Sequence, residues 1–315
     1  MKIAGLFLNY SILFALTILS LFNSCDAKPK NSENIIHLVG CTPADDEIKQ
    51  QLSIPLNTKA DFIRWNLTLS EPNTGDQVFT LSIVYGESKP NTLGFIGGGL
   101  QKKFEGRYTV SENNERPTSR VYHLKSNKKD AAILLERLSD NIFHLLTIQH
   151  KLMIGNGGWS YTLNRKKPLL SENSTLPAFA KQSAISEDTA TQIIFEGRTP
   201  CLEFAAEHNL TVQPDCFKLK WKLTLSKDPV TLKPSSYALM RTNSRETAIT
   251  GTWTILKGLP GNPNTVIYKL DPDQPAKSIS LLLGDENIAF FLHKNNHFFI
   301  GNEDFSFTLN KRQNN

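Results

Sequence analysis

Apolar and polar residues alternate along much of the chain, and this alternation predicts short β-strands. The run Phe217–Leu225 places Phe, Leu, Trp, Leu and Leu on one face and Lys, Lys, Lys and Thr on the other. A period of two residues is typical of a strand that is half buried against a core. The same pattern predicts further strands at Tyr237–Arg241, Thr250–Leu256, Thr265–Leu270, Ser278–Leu283, Ile288–His293, His297–Ile300 and Phe305–Leu309.

Turn-forming residues separate these runs, for example at Lys227-Asp228-Pro229 and Gly258-Leu259-Pro260-Gly261. Each half of the chain also contains one predicted helix after a Thr-Pro pair, at Pro43–Leu52 and at Cys201–His208. In both, the threonine is a candidate cap, the proline stands in the first turn and acidic residues follow early, which are the usual signals of a helix start.

The second half of the chain repeats the first. Five blocks match in the same order: Gly40–Ala44 with Gly197–Cys201, Ile63–Ser70 with Leu219–Ser226, Gly106–Thr109 with Gly251–Thr254, Val121–Leu124 with Ile267–Leu270, and Ile154–Arg165 with Ile300–Lys311. A long internal repeat of this kind determines the number of domains. We therefore predict a duplication, with domain one at 36–166, a linker at 167–189 and domain two at 190–312.

The predicted fold class is all-β, with two tandem small antiparallel β-barrels, each with one short helix near its start. About eight strands in about 120 residues favour a closed, lipocalin-like barrel, because closure removes exposed sheet edges. Domain one has an insertion around Gly86 to Leu100 that ends in a glycine run. No Lys-Ser or Lys-Thr pair follows this run, so a hairpin tip is predicted in preference to a phosphate loop.

The N-terminus has the layout of an export signal. A short apolar run, Ile12–Phe22, is followed by a small residue and Cys25, as in a bacterial lipoprotein signal. We predict a signal peptide at 1–25, lipidation of Cys25 and a tether at 26–35. The alternative is simple cleavage after Ala27, which would give a secreted protein.

Composition and motifs exclude several classes of function. Lysine and arginine number 35 against 30 aspartate and glutamate residues, without a basic block interleaved with aromatic residues. Nucleic acid is therefore not an expected partner. The chain has no Gly-x-Ser-x-Gly elbow, His-Glu-x-x-His pair or Walker loop. We predict no enzymatic activity, no catalytic residues and no cofactor.

Two cysteines of domain two, Cys201 and Cys216, are both replaced in domain one, by Ala44 and Ala60. A pair that is present or absent as a unit predicts one disulfide, and exported chains sit where disulfides persist. The bridge would close a loop over residues 202–215, for which the chain-entropy model gives about 3 kcal/mol. The rival interpretations are a metal pair and a redox pair.

The candidate metal ligands are histidines. His208 lies between the two cysteines and would allow a Cys/His site. Four others fall near the ends of matching strands: His144, His150, His293 and His297. Because these are not at equivalent positions, surface histidines are the default, with His293 and His297 kept as a candidate pair. Cys41, opposite Arg198 in the repeat, is expected to be a buried or free thiol.

Several elements of domain two resemble a known family: Gly197–Cys201, Cys216–Leu225, Gly251–Thr254, Tyr268–Leu270 and Leu282–Asn287. In this order they are similar to the N-terminal barrel domain of the NlpE copper-resistance lipoproteins. The resemblance implies an outer-membrane-anchored, lipocalin-like barrel linked to envelope stress signalling and copper tolerance. The two cysteines of the close-set Cys-x-x-Cys motif of that family are here separated by the insert Leu202–Asp215. This departure affects the motif that would coordinate copper.

The expected function is that of a non-enzymatic, NlpE-like lipoprotein of the bacterial cell envelope, anchored in the outer membrane by its lipid. Its role would be binding or sensing, linked to copper tolerance or envelope stress, with an envelope protein as a candidate partner. The alternative is a lipocalin-like carrier that holds a small apolar ligand inside a barrel. A filled barrel interior favours the first function, and a roomy aromatic cavity favours the second.

Overall fold

The computed structural model describes residues 34–71, 76–113, 119–127, 132–169, 190–242, 248–259 and 262–313, which belong to one compact unit. The predicted signal at 1–25, including Cys25, lies outside the described residues, as do most of the tether and most of the linker. Neither helix of the described part is long and apolar enough to cross a membrane.

The first half of the chain forms a closed antiparallel barrel in which each strand pairs with the next and the last pairs with the first. Its strands are β1 (Asn34–Pro43), β2 (Phe62–Glu71), β3 (Val78–Gly86), β4 (Leu100–Glu112), β5 (Arg120–Ser126), β6 (Ala132–Arg137), β7 (Ile142–Leu146) and β8 (Thr162–Arg165). We refer to this unit as barrel one.

The second half forms barrel two, with the same order of pairing. Its strands are β9 (Gln192–Thr199), β10 (Leu219–Lys227), β11 (Pro234–Thr242), β12 (Ile249–Leu259), β13 (Asn262–Leu270), β14 (Ile279–Asp285), β15 (Ile288–Leu292) and β16 (Thr308–Lys311). The predicted all-β fold of two tandem antiparallel barrels is therefore confirmed.

Strand register confirms the repeat. Gly40 lies opposite Trp65 in barrel one, and Gly197 lies opposite Trp221 in barrel two. Both indole rings point into the barrel interior, where they are almost fully buried. The alternating pattern predicted this, because every second side chain of a strand faces the core.

The conserved geometry around these tryptophans corrects one prediction. The two threonines that we expected to cap helices instead accept hydrogen bonds from the indole N–H groups, Thr42 from Trp65 and Thr199 from Trp221, both at 2.8 Å. The threonine side chains are fully buried, so each satisfies a polar group that would otherwise be costly to bury. The threonine of each Thr-Pro pair therefore belongs to a buried Thr–Trp hydrogen bond and does not cap a helix.

The helices are shorter than predicted, at α1 (Asp46–Gln51) and α2 (Leu202–Glu207). Asp45 caps α1 by accepting a hydrogen bond from a backbone N–H of the first turn. Pro43 is the last residue of β1 rather than part of the helix. Cys201 precedes α2 without making a side-chain cap.

One predicted strand is wrong and one real strand was missed. Residues His297–Ile300 form only an isolated bridge, in which Phe298 pairs with Leu292. Phe298 packs between the barrels and Phe299 packs inside barrel two, so the segment is buried without joining the ladder of paired strands. The missing eighth strand is β9, whose alternate residues are buried as in any half-buried strand.

The insertion of domain one folds back onto barrel one. It contains a 3-10 turn at Ile96–Gly98 and a bridge between Ser88 and Phe95. Gly97, Gly98 and Gly99 have φ values of 66°, 82° and 78°, which only glycine adopts readily. The glycine run therefore allows a tight reversal, as expected for a hairpin tip.

Candidate functional site

The two barrels meet through equivalent positions of the repeat. The Ser160 and Ser306 hydroxyl oxygens lie 2.6 Å apart, and those of Thr162 and Thr308 lie 2.9 Å apart. Each pair joins a residue to its own counterpart, as in the isologous interface of a symmetric dimer. The junction therefore has an internal pseudo-two-fold axis that passes between β8 and β16.

Reciprocal hydrogen bonds follow the same symmetry. The Gly155 N–H donates to the Asn310 side-chain oxygen at 2.7 Å, and the Gly301 N–H donates to that of Asn164 at 2.9 Å. A Cβ atom on Gly155 would lie 2.2 Å from the Trp159 carbonyl oxygen, so only glycine fits this turn. The Gly-Asn turn that recurs in the sequence thus belongs to the junction.

An apolar cluster extends the junction. Strands β7 and β15 are buried along their whole length because one face fills a barrel and the other packs against the opposite barrel. Their sequences, IFHLL and IAFFL, are nearly continuous apolar runs, which is typical of strands buried on both faces. The cluster consists of Val121, Leu138, Ile142, Leu146, Leu152, Ile267, Leu282, Ile288, Phe290, Leu292 and Phe298.

His144 belongs to this junction, and its predicted surface position is wrong. The ring is fully buried, with Nδ1 2.9 Å from the Thr162 hydroxyl and Nε2 2.9 Å from the Met153 carbonyl oxygen. A carbonyl oxygen only accepts, so Nε2 carries a proton and donates it to this oxygen. Its edge-on contact with Phe290, its counterpart in the repeat, spans 5.9 Å between ring centroids.

A cleft of about 170 Å³ lies where the two barrels and the domain-one insertion meet. Barrel one contributes Cys41, Phe62, Trp159 and the segment 88–93, and barrel two contributes Arg198, Lys218, Asp304 and Phe305. None of the predicted site residues that the structure describes lies in this cleft. Aromatic rings and charged groups from both barrels nevertheless lie side by side in this cleft.

Stacked rings form one wall of the cleft. Phe62 lies between Phe95 and Trp159, with ring centroids 4.1 Å and 4.8 Å away and nearly parallel planes. The Arg198 guanidinium carbon lies 5.0 Å from the Trp159 ring centroid, within the range of a cation–π contact. This stack holds the guanidinium at the cleft from one side.

The charges of the cleft are unbalanced. Asp304 accepts a hydrogen bond from Arg64 at 2.6 Å, and burial raises the pKa of its carboxyl group while Arg64 opposes that rise. Burial lowers the pKa of Arg198, and burial followed by the charges of Arg198 and Lys220 lowers that of Lys218. Within the described ranges, no salt bridge joins either cation to an acidic side chain.

Cys41 is a free, buried thiol, as expected. Its sulfur donates to the Glu303 carbonyl oxygen at 3.3 Å. Burial raises its pKa to about 12, against the opposing effect of Arg64. The group therefore stays protonated at neutral pH, and a protonated thiol is a poor nucleophile and a poor metal ligand.

The disulfide between Cys201 and Cys216 is confirmed, with the two Cα atoms 5.9 Å apart. Cys201 lies at the start of α2, and Cys216 lies shortly before β10. The bridge therefore fastens the helical insert to the wall of barrel two.

The histidines proposed as metal ligands occupy separate environments. The ring of His208 stacks on Phe204, with centroids 4.1 Å apart, and burial lowers its pKa. His293 contacts two carboxylates of α2, Glu203 at 3.4 Å and Glu207 through Nδ1. The backbone carbonyl oxygen of His297 accepts a hydrogen bond from the His293 N–H. Among the described residues, no contact joins the His297 ring to the ring of His293 or His208. Over the described ranges, no group of three or more His, Cys, Asp or Glu side chains could hold a metal ion.

The contact of His293 with α2 predicts a pH-dependent stability. Burial opposes the charged ring, but hydrogen bonds and charges from Glu203 and Glu207 outweigh it, so the pKa of His293 is raised above 6.5. Stabilisation from a raised pKa is complete below the unfolded value and is lost as pH rises through the folded value. We expect His293→Gln to cost about 1 kcal/mol more at pH 5.5 than at pH 8.5.

Urea unfolding of both proteins at the two pH values measures this difference. Glu207→Gln is the companion variant, because it removes a carboxylate but keeps the size of the side chain, and it should reduce the same pH dependence while Glu203 keeps part of it. The nearby His208 and Lys294 are unchanged in all three proteins. Equal losses at both pH values would show that folding does not raise the pKa of His293.

The residues of the cleft could have been found by comparing the two halves of the repeat. Arg198 stands where barrel one has Cys41, and Lys218 stands where it has Phe62. Substitution of a neutral residue by a cation at equivalent positions marks divergence between the copies.

Comparison with known proteins finds no family model, no curated protein and no solved structure that matches the chain.

Proposed function

We propose that this protein is a non-enzymatic lipoprotein of the bacterial cell envelope, in which the two barrels act as one binding or sensing module. The cleft at their junction is the binding site. The observation that carries the proposal is that buried side chains fill both barrels, whereas the cleft between them holds aromatic rings and cations without acidic partners.

The filled interiors favour this function over a carrier of apolar ligands. Trp65, Tyr122, Phe143 and Tyr161 occupy the core of barrel one, and each exposes at most 1% of its surface. Barrel two is packed in the same way by another aromatic and aliphatic cluster. Small eight-stranded barrels leave room only for side chains or for one small ligand, so packed rings occupy the space a ligand would need.

The envelope location rests on the N-terminal pattern, with Cys25 as the lipidated residue and the outer membrane as the site of anchoring. The disulfide Cys201–Cys216 supports export, because such bonds persist in oxidising compartments. A sensing role linked to envelope stress or copper tolerance follows from the family resemblance. The proposal assigns no copper-ligand set, since the described residues contain no group of three candidate ligands.

The absence of enzymatic activity is also part of the proposal. The charged side chains of the cleft are mainly cations, its one carboxylate is bonded to Arg64, and its thiol is protonated at neutral pH. Nucleophilic catalysis needs a nucleophile activated by a base or by a lowered pKa. The cleft is better suited to holding a ligand than to transforming it.

Intrinsic fluorescence tests the binding site directly. Trp159 lines the cleft, whereas Trp65, Trp221 and Trp253 are buried in the barrel cores. In a screen of small molecules against the full chain, we expect ligands that change the emission of the wild type but not that of Trp159→Phe. If no compound distinguishes the two proteins, the cleft is not a binding site.

The envelope assignment has its own test. Mass spectrometry of the native protein, before and after reduction, reports acylation at Cys25 and the disulfide together. A mature chain that begins after Ala27 without a lipid would support the secreted alternative instead.

A further inference from the structure

The two walls of the cleft come from repeat positions that have diverged in charge. Cys41 in β1 corresponds to Arg198 in β9, and Phe62 in β2 corresponds to Lys218 just before β10. Barrel one therefore presents neutral side chains where barrel two presents cations. The junction is pseudo-symmetric, but the cleft is not, because Arg198 and Lys218 of barrel two have no cationic counterparts at these positions of barrel one.

The cleft as a whole has a surplus of positive charge. Arg198 and Lys218 of barrel two and Lys89 of the domain-one insertion all line it, and Asp304 is its single carboxylate. That carboxylate is already bonded to Arg64. Burying part of a cation without a counter-charge is unfavourable, so a bound anion would gain from this arrangement.

The geometry of Arg198 narrows the kind of anion. Its guanidinium carbon lies 5.0 Å from the Trp159 ring centroid, so a cation–π contact holds the group beside the cleft. In the described part of the chain, no hydrogen bond from the guanidinium N–H groups to another side chain is present. A planar fork of donors matches the two oxygens of a carboxylate or phosphate, which can be bound in a bidentate manner.

The apolar lining and the volume of the cleft restrict the size and the chemistry of a ligand further. Phe62 and Phe305 provide apolar surface, together with Pro90 and Leu93 of the insertion. The volume of about 170 Å³ is below that of sites for drug-sized molecules, which begin near 300 Å³. A ligand of this cleft is therefore compact and carries an apolar group beside its charge.

We propose that the cleft binds a small organic oxyanion, a carboxylate or phosphate attached to a compact apolar group. Arg198 and Lys218 hold the oxyanion, and the apolar group lies against Phe62 and Phe305. This inference rests on the proposed function, because it names the ligand class of the same site.

Titration of the full chain with four related probes tests the ligand class. Benzoate and phenyl phosphate carry an oxyanion on a ring, benzyl alcohol is neutral and benzylamine is a cation. We expect the two oxyanions to bind at least tenfold more tightly than the other two, with binding weakened by added salt. Inorganic phosphate, which lacks the apolar group, should bind more weakly than phenyl phosphate.

Variants of the cation identify the site. Arg198→Gln should weaken benzoate binding by about 10- to 100-fold, as expected for loss of a charged hydrogen-bond partner. Arg198→Lys keeps the charge but loses the fork, so it should lie between the wild type and Arg198→Gln. Lys257→Gln is the matched control, because it removes an exposed cation of β12 outside the cleft. Thermal melting checks that each variant is folded.

The outcomes separate the two proposals. If benzyl alcohol or benzylamine binds as tightly as benzoate, or if Arg198→Gln binds benzoate like the wild type, the oxyanion class is wrong while the cleft remains a binding site. If none of the four probes binds but the Trp159 screen finds other ligands, the inference is likewise overturned. If neither the probes nor the screen gives binding, the proposed function fails as well.

Discussion

Phe290→Ala is expected to lower the free energy of unfolding by about 3–5 kcal/mol, the usual cost of truncating a buried phenylalanine. Phe290 exposes only 1% of its surface and lies in the apolar cluster between the barrels. Its ring meets His144 and Phe298 edge-on, at centroid distances of 5.9 Å and 5.7 Å. Removing the ring leaves a cavity at the junction, where two rigid barrels cannot easily collapse around it.

The same variant should weaken the coupling between the barrels. In the wild type, the shared cluster should make both barrels unfold in one cooperative transition, because each barrel stabilises the other. In Phe290→Ala, we expect the unfolding transition in guanidinium chloride to broaden or to split into two steps.

Leu256→Ala is the matched control for this experiment. Leu256 lies on β12 with 40% of its surface exposed, so its truncation should cost well under about 1 kcal/mol. If Phe290→Ala unfolded at the same denaturant concentration as this control, the two barrels would not be packed together in solution.

Removal of the disulfide has the second large effect. The double variant Cys201→Ser/Cys216→Ser should lose about 3 kcal/mol, because the bridge restricts the unfolded chain over residues 202–215. Cys201 is buried beside Phe204 in the core of barrel two, so the bridge also positions α2 against the barrel. Barrel one has alanines at both equivalent positions and folds to the same topology, so the variant should remain folded.

Thermal unfolding with and without a reducing agent measures this contribution. Reduction should lower the melting temperature of the wild type toward that of the double variant and should leave the double variant unchanged. Barrel one contains no disulfide among its described residues, which makes it an internal reference. A wild-type melting temperature that is insensitive to reductant would contradict the stabilising role of the bridge.

Much of each barrel could be predicted from local patterns. Alternation in β10 predicts which side chains face inward, and the matched tryptophans Trp65 and Trp221 align the two halves. The joint loss of two cysteines in the first copy predicts their bond, because covalent pairing couples the two positions. These features depend on neighbours along the chain or on comparison of one copy with the other.

Local patterns gave wrong predictions for residues on the outside of one barrel that the other barrel covers. His144 and Phe298 lie at positions that would face water in an isolated barrel, but both are covered by the other barrel. A histidine at a strand end is ordinarily exposed, and an expectation based on a single barrel does not include the burial that a second domain imposes.

The duplication, the all-β class, the closed barrels and the disulfide are all predictable from residue order, because each follows from periodicity along the strand or from differences between the two copies. The packing of the barrels about a pseudo-two-fold axis, and the meeting of Arg198, Lys218 and Trp159 at one cleft, are seen only in the folded molecule. These contacts join residues that are far apart in the chain and lie on the outer faces of separate barrels. Strand periodicity distinguishes the inside of a barrel from its outside, but it carries no information about which part of the outside another domain will cover.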